Sequence, residues 1–217
     1  VLGGLVMMQA KEAIGTSRPG RPEKYTADEV LKTALGIYWT EGVSMLSVNS
    51  VARRMGIPKP SLYRHFPSED ALHASVLLSY EETVLANLNG IMRKPAPFSR
   101  QLDEILDALI AGIKGHSRGC LLFQMRDVSE DLGPLAQNAI NSVFSRFCTE
   151  VKKWLETAAR RGDVILKTDS LTTTYLFLGL ITLIRNGFRD GLDEPGIRTL
   201  SGAHLTGLFQ QNKPQTC

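Results

Sequence analysis

Residues 47–66 set two short amphipathic segments on either side of a tight turn: Val48–Met55, then Gly56-Ile57, then Pro58–Phe66. In the first segment Ser47 is placed to cap, Val48, Val51 and Ala52 share an inward face, and Gly56 stops the helix. In the second, prolines 58 and 60 fall in the opening turn, where a missing amide costs least. Leu62 and Phe66 anchor that segment, and Lys59, Ser61, Tyr63, Arg64 and His65 carry hydrogen-bonding groups. Five such side chains within seven residues suit a helix that enters a major groove ~12 Å wide, its first turn reaching bases or phosphates. The spacing is that of a helix-turn-helix.

The flanks supply the rest of a small helical unit. Thr26-Ala-Asp-Glu29 is a capping-box pattern. Val30, Leu31, Ala34, Leu35, Ile37 and Tyr38 then form an apolar face that ends at Gly42. Ser68 caps a long fourth helix, Glu69 to about Asn89, with Leu72, Val76, Leu77, Tyr80 and Val84 as its stripe. Beyond a break at 93–97, helical periodicity returns over 99–116, 120–128, 134–161, 169–190 and 194–210, and no sustained strand-like alternation appears. The expected organisation is a flexible basic arm over 1–24, a DNA-binding unit over 25–72, a helical body over 73–210 that uses the fourth helix as connector, and a tail over 211–217.

Composition narrows the class. A chain of 217 residues that is 43% hydrophobic buries a core without staples. Its three cysteines form no CxxC pair, which argues against a disulfide framework or structural zinc and for a reducing cytoplasm. Residues 1–66 hold nine Lys or Arg against five acids, whereas the remainder is close to neutral. That asymmetry suits a polyanionic partner. The longest apolar-leaning run, Thr172–Ile184, falls short of the ~20 residues a bilayer needs, and the start lacks a basic leader, so no membrane partner and no signal peptide are expected. Met7 or Met8 is a candidate natural start.

Thr26–Leu72 resembles the DNA-binding domain of the TetR/AcrR family of bacterial transcriptional regulators. The residues that carry the likeness are Ala34, Tyr38 and Gly42, then Ser47-Val48-x-x-Val51-Ala52-x-x-Met55-Gly56-Ile57-x-Lys59-x-Ser61-Leu62-Tyr63-x-His65-Phe66-x-Ser68-x-Asp70-x-Leu72. The resemblance implies an all-α fold of about nine helices: an N-terminal three-helix DNA-binding domain and a C-terminal ligand-binding and dimerisation domain. It implies a homodimer on a palindromic double-stranded operator, released by a small-molecule effector. It also implies that Ser47 meets a phosphate at a helix N-terminus, and that Lys59, Tyr63 and His65 reach phosphates or bases. Two departures stand out. Pro58 and Pro60 replace the Ser and Gly common in the family, and Glu69 stands where a phosphate-binding Lys is frequent, which puts that contact in doubt. Arg64, at a variable outward position, is the candidate base reader, because Arg pairs bidentately with guanine. Pro60 and Ser61 complete the expected DNA face. Arg21 and Lys24 of the arm either follow a minor groove or belong to a solvated tail, and Arg53 and Arg54 are either phosphate contacts or a solvated face.

In the body, Phe123, Met125, Phe144, Phe147, Phe177 and Leu106 are the expected lining of an apolar or aromatic effector pocket, against the alternative of plain core. Gln124, Arg126 and Asn141 are candidate polar anchors. Leu176, Leu180, Leu183, Ile184, Leu205, Leu208 and Phe209 are the expected dimer face, with Gly179 and Gly187 allowing close helix approach. Cys120 is either a sensor thiol or a buried structural one. The chain has no GxSxG, GxxxxGK[ST], HExxH or GxGxxG, and its four histidines are scattered, so no catalytic, metal or cofactor site is expected. Two other readings remain: the same fold as a DNA-organising or protein-partner module without a ligand, and, remotely, an α-helical enzyme. The expected location is the cytoplasm, on the nucleoid.

Overall fold

The computed structural model describes residues 25–43, 46–116 and 119–211. The arm with Arg21 and Lys24, Arg118, and the end of the tail with Cys217 lie outside the described residues. Helix α1 (Ala27–Glu41) opens with the capping box: the Glu29 amide donates to Thr26 Oγ1 (3.2 Å), and the Thr26 amide donates to Glu29 Oε2 (2.8 Å). Helix α2 (Val48–Met55) is capped by Ser47, whose Oγ accepts the Ser50 amide at 3.3 Å. Gly56 ends it at φ 66°, a left-handed conformation that a side chain would strain. Helix α3 (Lys59–His65) starts on Pro58, whose carbonyl accepts the Ser61 amide at 2.9 Å.

Helix α4 (Glu69–Tyr80) runs through a π-helical turn (Glu81–Leu85) into α5 (Ala86–Arg93) as one rod. In that turn the Ala86 amide bonds the Glu81 carbonyl, five residues back, which widens the helix locally. There follow α6 (Phe98–Gly115), α7 (Leu121–Asp127), a 3-10 turn (Ser129–Asp131), α8 (Pro134–Arg160), β1 (Val164–Leu166), α9 (Ser170–Arg189), α10 (Glu194–Leu208) and β2 (Phe209–Gln211). Counting the α4–α5 rod as one, the described residues hold nine α-helices. Helix α8 is the axis of the body, packed on α4, α5, α7 and α9, while α10 lies on α9.

Two polar joints fix the arrangement. Asp70, at the head of α4, accepts the Leu135 and Ala136 amides at 2.9 and 2.8 Å and so caps α8 from another helix. The approach is close enough that a Cβ at Gly133 would lie 2.3 Å from the Asp70 carboxyl carbon. Deeper in, buried Gln101 accepts Trp154 Nε1 (2.8 Å) and donates to the Met92 and Lys94 carbonyls (3.0 and 2.8 Å), so each of its polar atoms is matched.

The all-helical expectation misses one feature. The last helix stops at Leu208 instead of Gln210, and Phe209–Gln211 pairs antiparallel with Val164–Leu166. The chain extends here because Phe209 turns inward, edge-on to Phe98 at 5.3 Å. The Lys167 amide then closes on the Leu208 carbonyl at 3.0 Å.

Candidate nucleic-acid interface and domain-junction cavity

Helix α3 buries Leu62 and leaves Lys59, Pro60 and Arg64 exposed, with Ser61, Tyr63 and His65 half-buried at the edges. The Tyr63 ring packs partly against the core, and Lys59 Nζ sits 5.4 Å from its centroid. That contact holds the lysine against the ring at the front of the helix. His65 lies edge-on to Phe66 at 6.5 Å. The polar side chains singled out on this segment therefore sit together on one short, accessible helix.

Ser47 is exposed at the head of α2. A feature that sequence reading missed sits beside it: Glu69 Oε1 accepts the Val48 amide at 3.1 Å. A carboxylate thus occupies the helix terminus where the resemblance implies a phosphate. The sequence pattern flagged Glu69 only as a lost lysine; its capping role needed the fold. Arg54 is ion-paired with Glu41, and Arg53 is exposed.

Behind the reading unit lies an apolar cavity of about 290 Å³. Trp39 of α1, Tyr80, Val84 and Leu88 of the α4–α5 rod, Leu109 and Ile113 of α6, Cys120, and Ile181 of α9 form most of its wall, with Thr83 and Asn87 also contributing. Trp39 is held on several sides. Its Nε1 donates to the Gly119 carbonyl at 2.7 Å, and its ring stacks on His116 (3.6 Å, 3°) and meets Tyr80 edge-on (5.0 Å). Gln124 Nε2 donates to the same Gly119 carbonyl (3.2 Å) and to the Trp39 carbonyl (3.4 Å).

None of the six expected pocket residues lines this cavity. Met125, Phe147 and Phe177 are buried in close-packed core, Phe177 against Trp154 at 5.3 Å. Phe123 and Phe144 are half-buried in an aromatic row that ends on exposed Tyr175, with Arg126 stacked 3.4 Å over the Phe144 ring. Leu106 borders a separate cleft between α6 and α10. Apolar spacing shows that a residue faces inward; it does not show whether atoms fill the space it faces.

The dimer expectation shifts in the same way. Leu180, Ile184, Leu205, Leu208 and Phe209 are buried within the chain, where α9 packs on α6, α8 and α10. Leu183 is half-buried, and Leu176 is exposed beside Leu171, Tyr175 and Gly179. Gly187 does permit a close approach, to α10 of the same chain, where a Cβ would lie 2.4 Å from Ile197 Cδ1.

Burial pushes the Cys120 thiol up, and Tyr80 Oη donates to its sulfur at 3.3 Å, so this thiol is a structural group rather than a ready thiolate. Burial lowers the pKa of His73, which meets Tyr38 edge-on at 5.1 Å, while Glu69 and Asp70 raise it in part. Among the described residues, His73 Nε2 and Tyr38 Oη have no hydrogen-bond partner. Among the described residues there is no group of His, Cys, Asp or Glu suited to a metal ion, and no helix is long and apolar enough to cross a membrane.

Residues 30–76 match the family model of bacterial regulatory proteins, tetR family. The chain is 24% identical over 165 residues to the HTH-type transcriptional regulator SrpR of Pseudomonas putida, covering 76% of each chain. It is 26% identical over 170 residues to the nucleoid occlusion factor SlmA of Aliivibrio fischeri, covering 73% of this chain and 80% of that one. The crystal structure of a TetR-family transcriptional regulator from Agrobacterium tumefaciens superposes with a TM-score of 0.74 at 17% identity, over 85% of this chain and 97% of that one.

Proposed function

We propose that this chain, a member of the TetR family of bacterial regulatory proteins by its DNA-binding segment and its fold, is a ligand-responsive transcriptional repressor. Its relatives and its fold are those of DNA-binding regulators, not of enzymes. The observation that carries the reading is α3, a short helix anchored by Leu62 that presents Lys59, Ser61, Tyr63, Arg64 and His65 together. In this reading Lys59 and Tyr63 hold phosphates, Arg64 reads a base, and Ser47, Pro60 and His65 border the contact. Arg21 and Lys24 extend it along the minor groove. Two copies join through the exposed face of α9 around Leu171, Tyr175 and Leu176, with Leu183 at its edge. A two-fold dimer sets two reading helices ~34–36 Å apart on a palindromic operator in the cytoplasm. The reading unit comprises residues 25–72 and the effector and dimer body residues 73–210.

A second reading, a nucleoid-organising protein without an effector, is supported by the likeness to SlmA. The open junction cavity favours the ligand-responsive one. A selection of genomic fragments, followed by a salt titration on the enriched site, tests the proposal. A short enriched palindrome, bound by two chains with affinity falling steeply with salt, is the expected result. Weak, unselective binding would overturn it.

A further inference from the structure

The junction cavity has an unusual wall. One side belongs to the reading unit itself, because Trp39 sits near the end of α1, three residues before its C-cap Gly42 and one residue from the buried Tyr38 that anchors α1 in the core. The same indole is tied to the body by its hydrogen bond to the Gly119 carbonyl and its stack on His116 at the end of α6. The cavity therefore shares a wall with a residue that links the two halves. We propose that the cavity binds a small, planar, uncharged compound of one or two rings, and that Trp39 transmits its occupancy to helices α1–α3. This rests on the reading of the chain as a ligand-responsive regulator.

The chemistry of the ligand follows from the lining. Among the described residues, no Asp, Glu, Lys, Arg or His lines the cavity, so an ion there would lose its hydration without a partner from them. The volume of about 290 Å³ lies at the small end of the roughly 300–1,000 Å³ usual for small-molecule sites. Trp39 and Tyr80, whose rings meet edge-on at 86°, both line the cavity and bring two aromatic side chains to a guest. Exposed Thr83 and Asn87 put hydrogen-bonding groups at the mouth, on the widened π turn and just beyond it. Gly112 points the same way. Glycine inside a helix costs about 1 kcal/mol relative to alanine, yet a Cβ at 112 would meet nothing within 4 Å. Packing does not demand glycine there, and a side chain would take cavity space.

The test uses the full chain labelled with 5-fluorotryptophan, which gives one fluorine signal each for Trp39 and Trp154. Indole is the neutral planar probe and indole-3-carboxylate its charged counterpart. Indole is expected to shift the Trp39 signal saturably while Trp154 stays in place, and the carboxylate to bind at least tenfold more weakly. Gly112→Leu is expected to abolish the indole shift. Saturating indole is expected to change amide hydrogen exchange across α1–α3 severalfold in the wild type and not in Trp39→Phe, which lacks the donor to Gly119. An absent shift, a shift that survives Gly112→Leu, equal binding of the carboxylate, or exchange in α1–α3 that ignores indole would each overturn the proposal. These measurements need no DNA. A chain that passes them yet selects no palindrome overturns the regulator reading alone.

Discussion

The reading helix and the junction cavity are built in opposite ways. The reading face comes from twenty consecutive residues, 47–66, in which cap, turn, anchor and polar side chains follow one another. The cavity is assembled from α1, the α4–α5 rod, α6, the Gly119-Cys120 link and α9, five segments scattered over 143 positions from Trp39 to Ile181. A contiguous site advertises itself, because each local choice serves the same short helix. A cavity is space left when segments fail to meet, and no single segment encodes it.

Substitutions probe that contrast, beginning with packing. Leu62→Ala and Leu109→Ala delete the same atoms from buried leucines. The first leaves a new hole under α3, and the second enlarges an existing one that already withholds neighbours. Within the roughly 2–5 kcal/mol span of such changes, Leu62→Ala is expected near the top and Leu109→Ala near the bottom, read by denaturant midpoints. Equal losses would erase the distinction between a close-packed unit and an open body. Asp70→Ala comes next: it uncaps α8 and loosens the joint to α4, at about 1–2 kcal/mol by the same measurement.

On DNA, Lys59→Ala and Tyr63→Ala should each weaken binding roughly tenfold on any sequence, and Lys59→Ala alone should also lower the salt slope by about one, because only the lysine neutralises a phosphate charge. Arg64→Ala should instead relax preference at one base pair, by about 1–3 kcal/mol of discrimination. A uniform loss for all three would remove Arg64 as base reader. Glu69→Gln keeps an acceptor for the Val48 amide but removes the charge from the α2 terminus. A gain of a few-fold in DNA affinity at low salt is expected, since a surface charge near a helix end is worth about 0.3–1 kcal/mol.

The smallest effect concerns pH. Burial keeps His73 neutral in the fold, with a lowered pKa, whereas the unfolded chain takes up a proton below about 6.5. The unfolded state then binds more protons, so the contribution is complete above 6.5 and is lost as pH falls through that value toward the folded one. Melting temperatures at pH 7.5 and 5.5 should differ more for the wild type than for His73→Phe. An equal drop in both would place the acid sensitivity elsewhere.

How far the fold could be read in advance depended on how local its causes are. Thr26 with Glu29, Ser47, Gly56 and Ser68 act within four residues of themselves, and the helices they bound fall where expected. The π turn at Glu81–Leu85 has no residue that announces it; it is a register change within a continuous apolar stripe. Phe209 reads as the end of a helix until Phe98 offers it a ring edge. Leu180, Ile184, Leu205 and Leu208 have the spacing of an interface, and periodicity alone cannot say whether the partner helix comes from the same chain or another.

The amino-acid order by itself determined the helical class, the positions of most helix ends, and the short exposed helix of the helix-turn-helix with its polar side chains. Each of these follows from backbone capping, turn conformation and a 3.6-residue period, which act between near neighbours. Tertiary structure alone decided that Glu69 caps α2, that Asp70 caps α8, that the expected pocket aromatics fill core or surface, and that Trp39 walls an open cavity. Those outcomes depend on which atoms distant segments bring within a few ångströms, and on where they leave a gap.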